Sequence, residues 1–132
     1  MRQEELSGYA RENLHQPRVY GLDRTIVIEL RGEIDLVAYQ RLAPLFDAVA
    51  AGPEPIVVVD LSEVDFFDCS GISLLVRAHR RVSDRGGTLR VVCTHPLTLR
   101  MLRLTGLTGA LSPAPTVAAA RAVLGDVTQR DA

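Results

Sequence analysis

A carboxylate, a thiol and a hydroxyl follow one another at Asp68, Cys69 and Ser70, directly before Gly71 and Ile72. An apolar run gives way to an acidic stretch just before them, and a helical pattern begins where they stand. The first turn of a helix has free N–H groups and the positive end of the helix dipole, and both favour negative charge. Three kinds of chemistry fit such a position: a phosphate switch, a reactive thiol, or a helix cap.

Ser70 supplies the hydroxyl that a phosphate switch needs. A phosphoryl group there would add about −1.5 to −2 charges at a helix start that favours them. The simpler interpretation is that the Ser70 hydroxyl caps the helix. Both interpretations stay open on the residues alone.

Cys69 has three interpretations. It is a small, semi-buried hydrophobic residue, a redox-sensitive thiol at a helix start, or a nucleophile. The adjacent Asp68 opposes thiolate formation, and no histidine is clearly placed as a base. The sequence therefore favours the first interpretation, then the second, over catalysis.

The elements that position these residues alternate between strand and helix. Strands are predicted around Val19, over 26–31, over 56–59 and over 89–93, with a turn near Asp23. Helices are predicted through Leu42 and Val49, from Ile72 to Gly86, from Pro96 to Thr105, and from Val117 to Leu124. This order indicates a single α/β domain: a mixed, mostly parallel sheet of four to five strands with an antiparallel start, packed with about four helices.

Two details of this prediction concern the approach to the site. Asp35 is well placed to cap the helix that follows it, but Pro44 is costly inside a helix, so the regular helix is expected to start near Ala43. The acidic stretch before Asp68 is expected to be a short loop. Its carboxylates are expected to be solvated loop charges: Asp60, Glu63 and Asp65.

Composition excludes several classes of function. The 132 residues are 47% hydrophobic and 23% charged, with fifteen basic and sixteen acidic residues, which is typical of one globular domain without an electrostatic case for nucleic acid or an anionic membrane. No stretch has the length of a membrane span or the pattern of a signal peptide. The two cysteines, Cys69 and Cys93, lie in different predicted elements, which favours reduced thiols and a cytoplasmic location. We expect an N-terminal extension over 1–17, the domain over 18–125 and a polar tail over 126–132.

The remaining titratable residues point to no metal or cofactor. His79 lies on or beside an apolar helical stripe and is expected to be half-buried, and no group of residues has the spacing of zinc ligands. Four arginines of the predicted second helix form a basic face, which is either solvated or directed at an acidic patch of a partner: Arg77, Arg80, Arg81 and Arg85.

Four motifs in order resemble the STAS domain, the fold of bacterial anti-sigma factor antagonists. Residues 32–35 (Gly-Glu-Ile-Asp) resemble a Gly-Glu-Leu-Asp motif after the second strand, and 58–72 resemble a strand–loop–helix segment that ends in Asp-Ser-(Ser/Thr)-Gly-Leu. Residues 86–89 resemble a Gly-Gly turn into a strand, and 102–107 resemble a Leu-Phe-x-x-x-Gly-Leu helix end. The resemblance extends from about residue 19 to 124.

The resemblance implies a partner and a set of contact residues. In such proteins the antagonist binds an anti-sigma factor that is also a serine kinase, and phosphorylation of the serine after the motif's Asp blocks binding until a phosphatase removes the phosphate. Asp68 matches the motif's Asp, Cys69 stands where the phosphorylated serine is expected, and Ser70 takes the following Ser/Thr position. Because a cysteine stands at the acceptor position, the resemblance itself supplies no phosphorylation site, and the candidate acceptor is Ser70, the only hydroxyl in position to receive a phosphate. The implied partner contacts are Asp35, Asp68, Cys69, Ser70, Gly71 and Ile72.

Three hypotheses follow for the function. The first is a regulatory anti-sigma factor antagonist that acts by partner switching, is not an enzyme, and needs no cofactor beyond the partner kinase's ATP and metal. The second is a redox or small-molecule sensor on the same scaffold, using Cys69 or the adjacent loop. The third is an enzyme with Cys69 as nucleophile, which lacks a base and an oxyanion motif.

Overall fold

The computed structural model describes residues 16–122, and the expected tail over 126–132 and most of the extension over 1–17 lie outside them. A four-stranded sheet has the order β1-β2-β3-β4. Strand β1 (Arg18–Leu22) is antiparallel to β2 (Thr25–Ile34), and β3 (Ile56–Phe67) and β4 (Thr88–Val92) continue the sheet in parallel. The predicted mixed sheet with an antiparallel start is confirmed.

Helices α1 (Leu36–Val49) and α2 (Cys69–Asp84) connect the parallel strands, and α3 (Pro96–Leu104) and the short α4 (Thr108–Leu111) follow β4. Residues 117–122 form the described part of a further helix. The turn of α4 was absent from the sequence-based prediction, because four residues are too few for a helical hydrophobic pattern. None of the described helices has both the length and the apolar character needed to span a membrane.

Both faces of the sheet are buried, but unequally. The larger core packs the first four helices on side chains such as Ile28, Leu30 and Val59. The smaller cluster lies on the other face, where Ala120 and Val58 are buried together. The apolar run 56–59 is therefore a central strand with buried side chains on both faces, as its composition predicted.

Helix α1 begins earlier than expected. It starts at Leu36 and contains Pro44, so the predicted start near Ala43 is wrong. Pro44 is exposed, and the carbonyl of Gln40, which loses its N–H partner there, belongs to an exposed residue and can be hydrated. The buried Ala38 and Phe46 bind the two halves of the helix to one core, and this packing outweighs the local cost of the proline.

The expected acidic loop is also wrong. Strand β3 continues to Phe67 and pairs with the end of β2 through Glu63–Arg31 and Phe67–Ile34, with one register shift before Glu63 and a second between Val64 and Phe66. Asp60 is not a solvated loop charge but a buried residue whose carboxylate accepts hydrogen bonds from the Ser62 N–H (2.9 Å) and hydroxyl (2.6 Å). Glu63 and Asp65 are exposed, as expected.

Helix α2 ends just before Gly86 and Gly87, and β4 begins directly after them, as the sequence predicted. Gly86 has φ +73°, in the left-handed region that favours glycine after a helix C-terminus. The Gly87 N–H donates to the Val82 carbonyl at 2.9 Å and closes the turn. His79 is half-buried on α2, as predicted.

Candidate functional site

Two helix N-termini lie side by side at the ends of the central strands. Ile34 and Phe67 are paired in the sheet, and each is followed by an aspartate that begins a helix. The Asp68 N–H donates to the Ile34 carbonyl at 3.4 Å, so the sheet pairing continues to the first residue of the cap. The topology therefore brings Asp35 and Asp68 together, although 33 positions separate them in the sequence.

Each aspartate caps its own helix. The Asp35 Oδ1 accepts from the Ala38 N–H at 3.0 Å, which confirms its predicted cap. The Asp68 Oδ1 accepts from the Ser70 N–H at 2.8 Å. Both residues have extended backbone, as an N-cap requires. The interpretation of Ser70 as the cap is therefore wrong: Asp68 has that role, because the helix begins at Cys69, two residues earlier than a cap at Ser70 requires.

Cys69 and Ser70 occupy the first two positions of α2 with different exposure. Cys69 is exposed and has a free thiol, and its carbonyl accepts a hydrogen bond from the Ser73 hydroxyl at 3.0 Å. Ser70 is only partly exposed. The interpretation of Cys69 as a semi-buried hydrophobic residue is wrong, since the first helical position points away from the sheet. The buried thiol is Cys93, and its burial raises the pKa of that thiol above the ordinary value.

Gly71 and Ile72 pack the start of α2 against the end of β3 and the larger core. Gly71 is buried against the ring of Phe67, and a Cβ added there would lie 2.5 Å from the ring. The Ile72 N–H donates to the Asp68 carbonyl at 3.2 Å, the first hydrogen bond of the helix, and its side chain packs partly on the larger core. These two residues position Cys69 and Ser70 more than they offer contact surface.

Three exposed apolar residues surround the two caps, and the sequence analysis missed them. Leu36 and Val37 are 61% and 62% exposed in the first turn of α1, and Phe66 is 53% exposed beside the end of β3. For Phe66 a partial signal is present in the sequence: adjacent Phe66 and Phe67 point to opposite faces of a strand, so both cannot pack on the larger core. Leu36 and Val37 were overlooked because the helix was expected to begin near Ala43.

The surroundings of the caps are acidic. Glu33, Glu63 and Asp65 are exposed near Asp35 and Asp68 on the same strand ends. The neighbouring Arg31 does not neutralise them, because its guanidinium binds Glu29 at 2.8 Å. Within residues 16–122, no group of three or more histidine, cysteine or acidic side chains is arranged to hold a metal ion. The site is thus an acidic, partly apolar surface around two helix starts.

Similar proteins share this architecture. The family model of the STAS domain matches residues 16–120. Rv2638, a candidate anti-anti-sigma factor of Mycobacterium tuberculosis, is 32% identical over 100 residues, which are 74% of this chain and 67% of that protein. An anti-sigma factor antagonist from Mycobacterium paratuberculosis is 31% identical with a TM-score of 0.73, over 82% of this chain and 92% of that one.

A more distant structure agrees in fold alone. The phosphorylated form of the Bacillus cell fate determinant SpoIIAA superposes with a TM-score of 0.66 at 20% identity, over 82% of this chain and 99% of that one. The family match, the relatives above 30% identity and the observed strand order agree with the motifs around Asp35 and Asp68. The chain belongs to the STAS domain family.

Proposed function

We propose that this chain is an anti-sigma factor antagonist, a regulatory binding protein that performs no chemical step itself. The observation that carries the proposal is that exposed apolar residues flank both capped helix starts: Leu36 and Val37 directly follow Asp35, and Phe66 lies two positions before Asp68. Exposed apolar residues grouped at one place mark a protein-binding surface. Relatives above 30% identity are described as an anti-sigma factor antagonist and a candidate anti-anti-sigma factor, which identifies the class of partner.

The proposed partner is an anti-sigma factor with serine kinase activity, opposed by a serine phosphatase, and the proposed acceptor is Ser70. Ser70 presents a partly exposed hydroxyl at the second position of α2. The helix start would stabilise a phosphate there by up to ~2 kcal/mol. The phosphate would also stand beside the Asp68 carboxylate, whose like charge opposes part of that stabilisation.

The size of that effect is sufficient for a switch. Each unit of phosphate charge that faces an acidic partner group at 4 Å would cost ~4 kcal/mol at an effective dielectric constant of 20. Changing an equilibrium from mostly bound to mostly free takes ~5.5 kcal/mol. One phosphate of about −1.5 to −2 charges is therefore enough to release, without a change of fold, a partner that places an acidic group at this position.

Binding is tested first with matched substitutions of exposed apolar residues. Candidate anti-sigma factors are titrated by calorimetry with the wild type, with Phe66→Ala and with Leu104→Ala, which removes an exposed leucine of α3. We expect Phe66→Ala to weaken binding about tenfold, as for an interface anchor, and Leu104→Ala to leave it unchanged. If no anti-sigma factor binds, or both variants bind like the wild type, the proposal is wrong.

The acceptor is tested by phosphorylation with the bound kinase and ATP, followed by peptide mass spectrometry. We expect phosphate on Ser70 that is lost in Ser70→Ala, and a second acceptor in Cys69→Ser, because that change places a hydroxyl at the exposed first position. Phosphate on the Cys69→Ser variant alone would show that the natural chain is an antagonist without this switch.

The negative charge of Asp68 can be tested separately from the hydrogen bond by which its side chain caps α2. Asparagine also caps helices well, so Asp68→Asn is expected to keep the free energy of unfolding within ~0.5 kcal/mol, whereas Asp68→Ala is expected to lose about 1 kcal/mol. If the charge contacts the partner, Asp68→Asn weakens binding while stability is retained. Equal binding by Asp68→Asn and the wild type would confine Asp68 to its structural role.

The exposed thiol supports a second candidate function, a redox sensor on the same scaffold. Cys69 is the accessible cysteine and Cys93 is buried. Under this alternative, mild oxidation abolishes partner binding in the wild type and Cys69→Ser is insensitive. Insensitivity of the wild type would exclude it.

A further inference from the structure

A second surface lies beside the proposed partner site. An open groove of about 670 Å³, the α1–α2 groove, runs along α2 and is lined from the side of α1 by Tyr39. Its walls combine three guanidinium groups with an aromatic and two aliphatic side chains: Arg77, Arg80, Arg81, Tyr39, Ile72 and Val76. The predicted basic face of α2 lines this groove with Arg77, Arg80 and Arg81, and Arg80 and Arg81 are exposed to solvent as well.

Asp47 of α1 holds two of these arginines in place. Arg77 donates to both carboxylate oxygens, from Nε at 3.1 Å and from Nη2 at 2.7 Å, and the Arg81 Nε lies 2.9 Å from Oδ1. The hydrogen bond from Arg77 is the main cause that holds the pKa of Asp47 below its ordinary value. One carboxylate shared by two guanidinium groups leaves positive charge uncompensated at the groove.

Further positive charge lines the same helix. Arg80 lines the groove and Arg85 lines a small cavity at its end, and neither forms an ion pair within the described range 16–122. Asp84 is the other acid on these walls. Four arginines thus face two carboxylates, whereas the surface around Asp35 and Asp68 is acidic. The two neighbouring surfaces have opposite charge.

The groove is continuous with the start of α2. Ile72 and Ser73 line it, two and three residues after Ser70. From Ile72 to Asp84 the helix rises by about 18 Å, which is the length of an extended segment of five or so residues. An open, elongated groove of this length suits a peptide segment that carries acidic side chains and an apolar one.

We propose that the α1–α2 groove binds an acidic segment of the same anti-sigma factor that covers the start of α2, an inference that rests on the proposed function. Carboxylates of that segment pair with Arg77 and Arg80, and an apolar side chain packs on Tyr39, Ile72 and Val76. Because the groove is basic and the surface around Asp68 is acidic, an acidic segment is attracted to the groove and repelled from that surface, which favours one orientation of the bound partner.

The test begins with a probe that needs no anti-sigma factor. Fluorescein-labelled hexaglutamate is titrated at low salt and followed by anisotropy, and by NMR of the arginine Nε–H groups, since all fifteen basic residues of the chain are arginines. We expect saturable binding, shifts at Arg77, Arg80 and Arg81, and a loss of about fivefold or more in Arg80→Glu. The control is Arg103→Glu, which reverses an exposed arginine of α3 and is expected to bind like the wild type.

The outcomes separate the groove from the proposed function. Absence of saturable binding, shifts spread over all exposed arginines, or an equal loss in Arg103→Glu would overturn the groove proposal. The two reversals are then compared with the anti-sigma factor identified by calorimetry. Weaker binding of the anti-sigma factor by Arg80→Glu but not by Arg103→Glu supports the groove proposal. If Phe66→Ala weakens that binding and Arg80→Glu does not, the groove proposal is overturned and the antagonist role stands.

Discussion

Asp68 connects the sheet to the start of α2, where the candidate site lies. Its N–H donates to the Ile34 carbonyl of the neighbouring strand, its carbonyl accepts from Ile72, and its carboxylate accepts from the Ser70 N–H. The side chains of Cys69 and Ser70 are therefore presented from a backbone that is fixed on three sides. Preorganisation of this kind lowers the entropy that a partner must remove on binding.

Gly71 completes this arrangement, and Gly71→Ala is expected to lose about 1–3 kcal/mol of unfolding free energy. The added Cβ would meet the Phe67 ring at 2.5–2.7 Å, so the ring or the helix must shift. Urea denaturation followed by circular dichroism measures the loss. Gly109→Ala is the control, because a Cβ at Gly109 meets nothing within 4 Å. A Gly71→Ala variant as stable as the wild type would contradict the observed packing. If Gly71→Ala is destabilised as expected, the double variant that also carries Phe67→Leu recovers stability.

Helices α1 and α2 are coupled by a charged contact outside their apolar interface. Asp47 receives Arg77 and Arg81 from successive turns of α2. These side chains are partly exposed, so solvent screening limits the contribution to stability. The contact adds a specific pairing between α1 and α2 to the apolar packing of the two helices.

This contact predicts that stability depends on pH. The pKa of Asp47 in the folded protein lies below the unfolded value of 3.8, mainly because of the hydrogen bond from Arg77. The stabilisation that the ionised carboxylate provides is therefore fully present above pH 3.8 and is lost as the pH falls through the lower pKa of the folded state. Urea midpoints of the wild type and Asp47→Asn should therefore differ near neutral pH and converge in acid below the folded value. A constant difference across the whole range would show that Asp47 acts through packing instead.

The molecule buries the two faces of its sheet by different means. Three longer helices and α4 cover the larger core, but the second face is covered by the segment 114–122, with Ala114 bridged to the edge of β4. Val27 and Val58 are fully buried beneath this cover. The sheet is thus protected on both sides although the described helices are unequally distributed.

The second face gives a test at the scale of the whole molecule. Ala120 is fully buried in the smaller cluster and Ala118 is exposed in the same helical turn. Ala120→Leu should cost about 1–3 kcal/mol through overpacking, whereas Ala118→Leu should stay within ~0.5 kcal/mol. Thermal and urea unfolding measure both variants. Equal stability of the two would show that the helix starting at residue 117 does not pack on this face.

The sequence by itself determined the fold class, and it indicated where the candidate site lies in the chain. Alternating strands and helices and an apolar run at 56–59 specified a mixed sheet with a buried central strand, because burial patterns of this kind depend on local periodicity. Asp35 as a cap and the Gly86–Gly87 helix end were also predictable, since capping uses residues within one turn. Four motifs were enough to indicate the family.

The tertiary structure alone decided how the site is built. Local preference placed a loop over 60–68 and a late start for α1, but pairing of β3 with β2 and packing of α1 on the core outweighed those preferences. The exposure of Phe66, the burial of Asp60 and the sharing of Asp47 by Arg77 and Arg81 depend on neighbours distant in the chain. No local pattern contains such contacts, because they exist only once the strands are registered and the helices are packed.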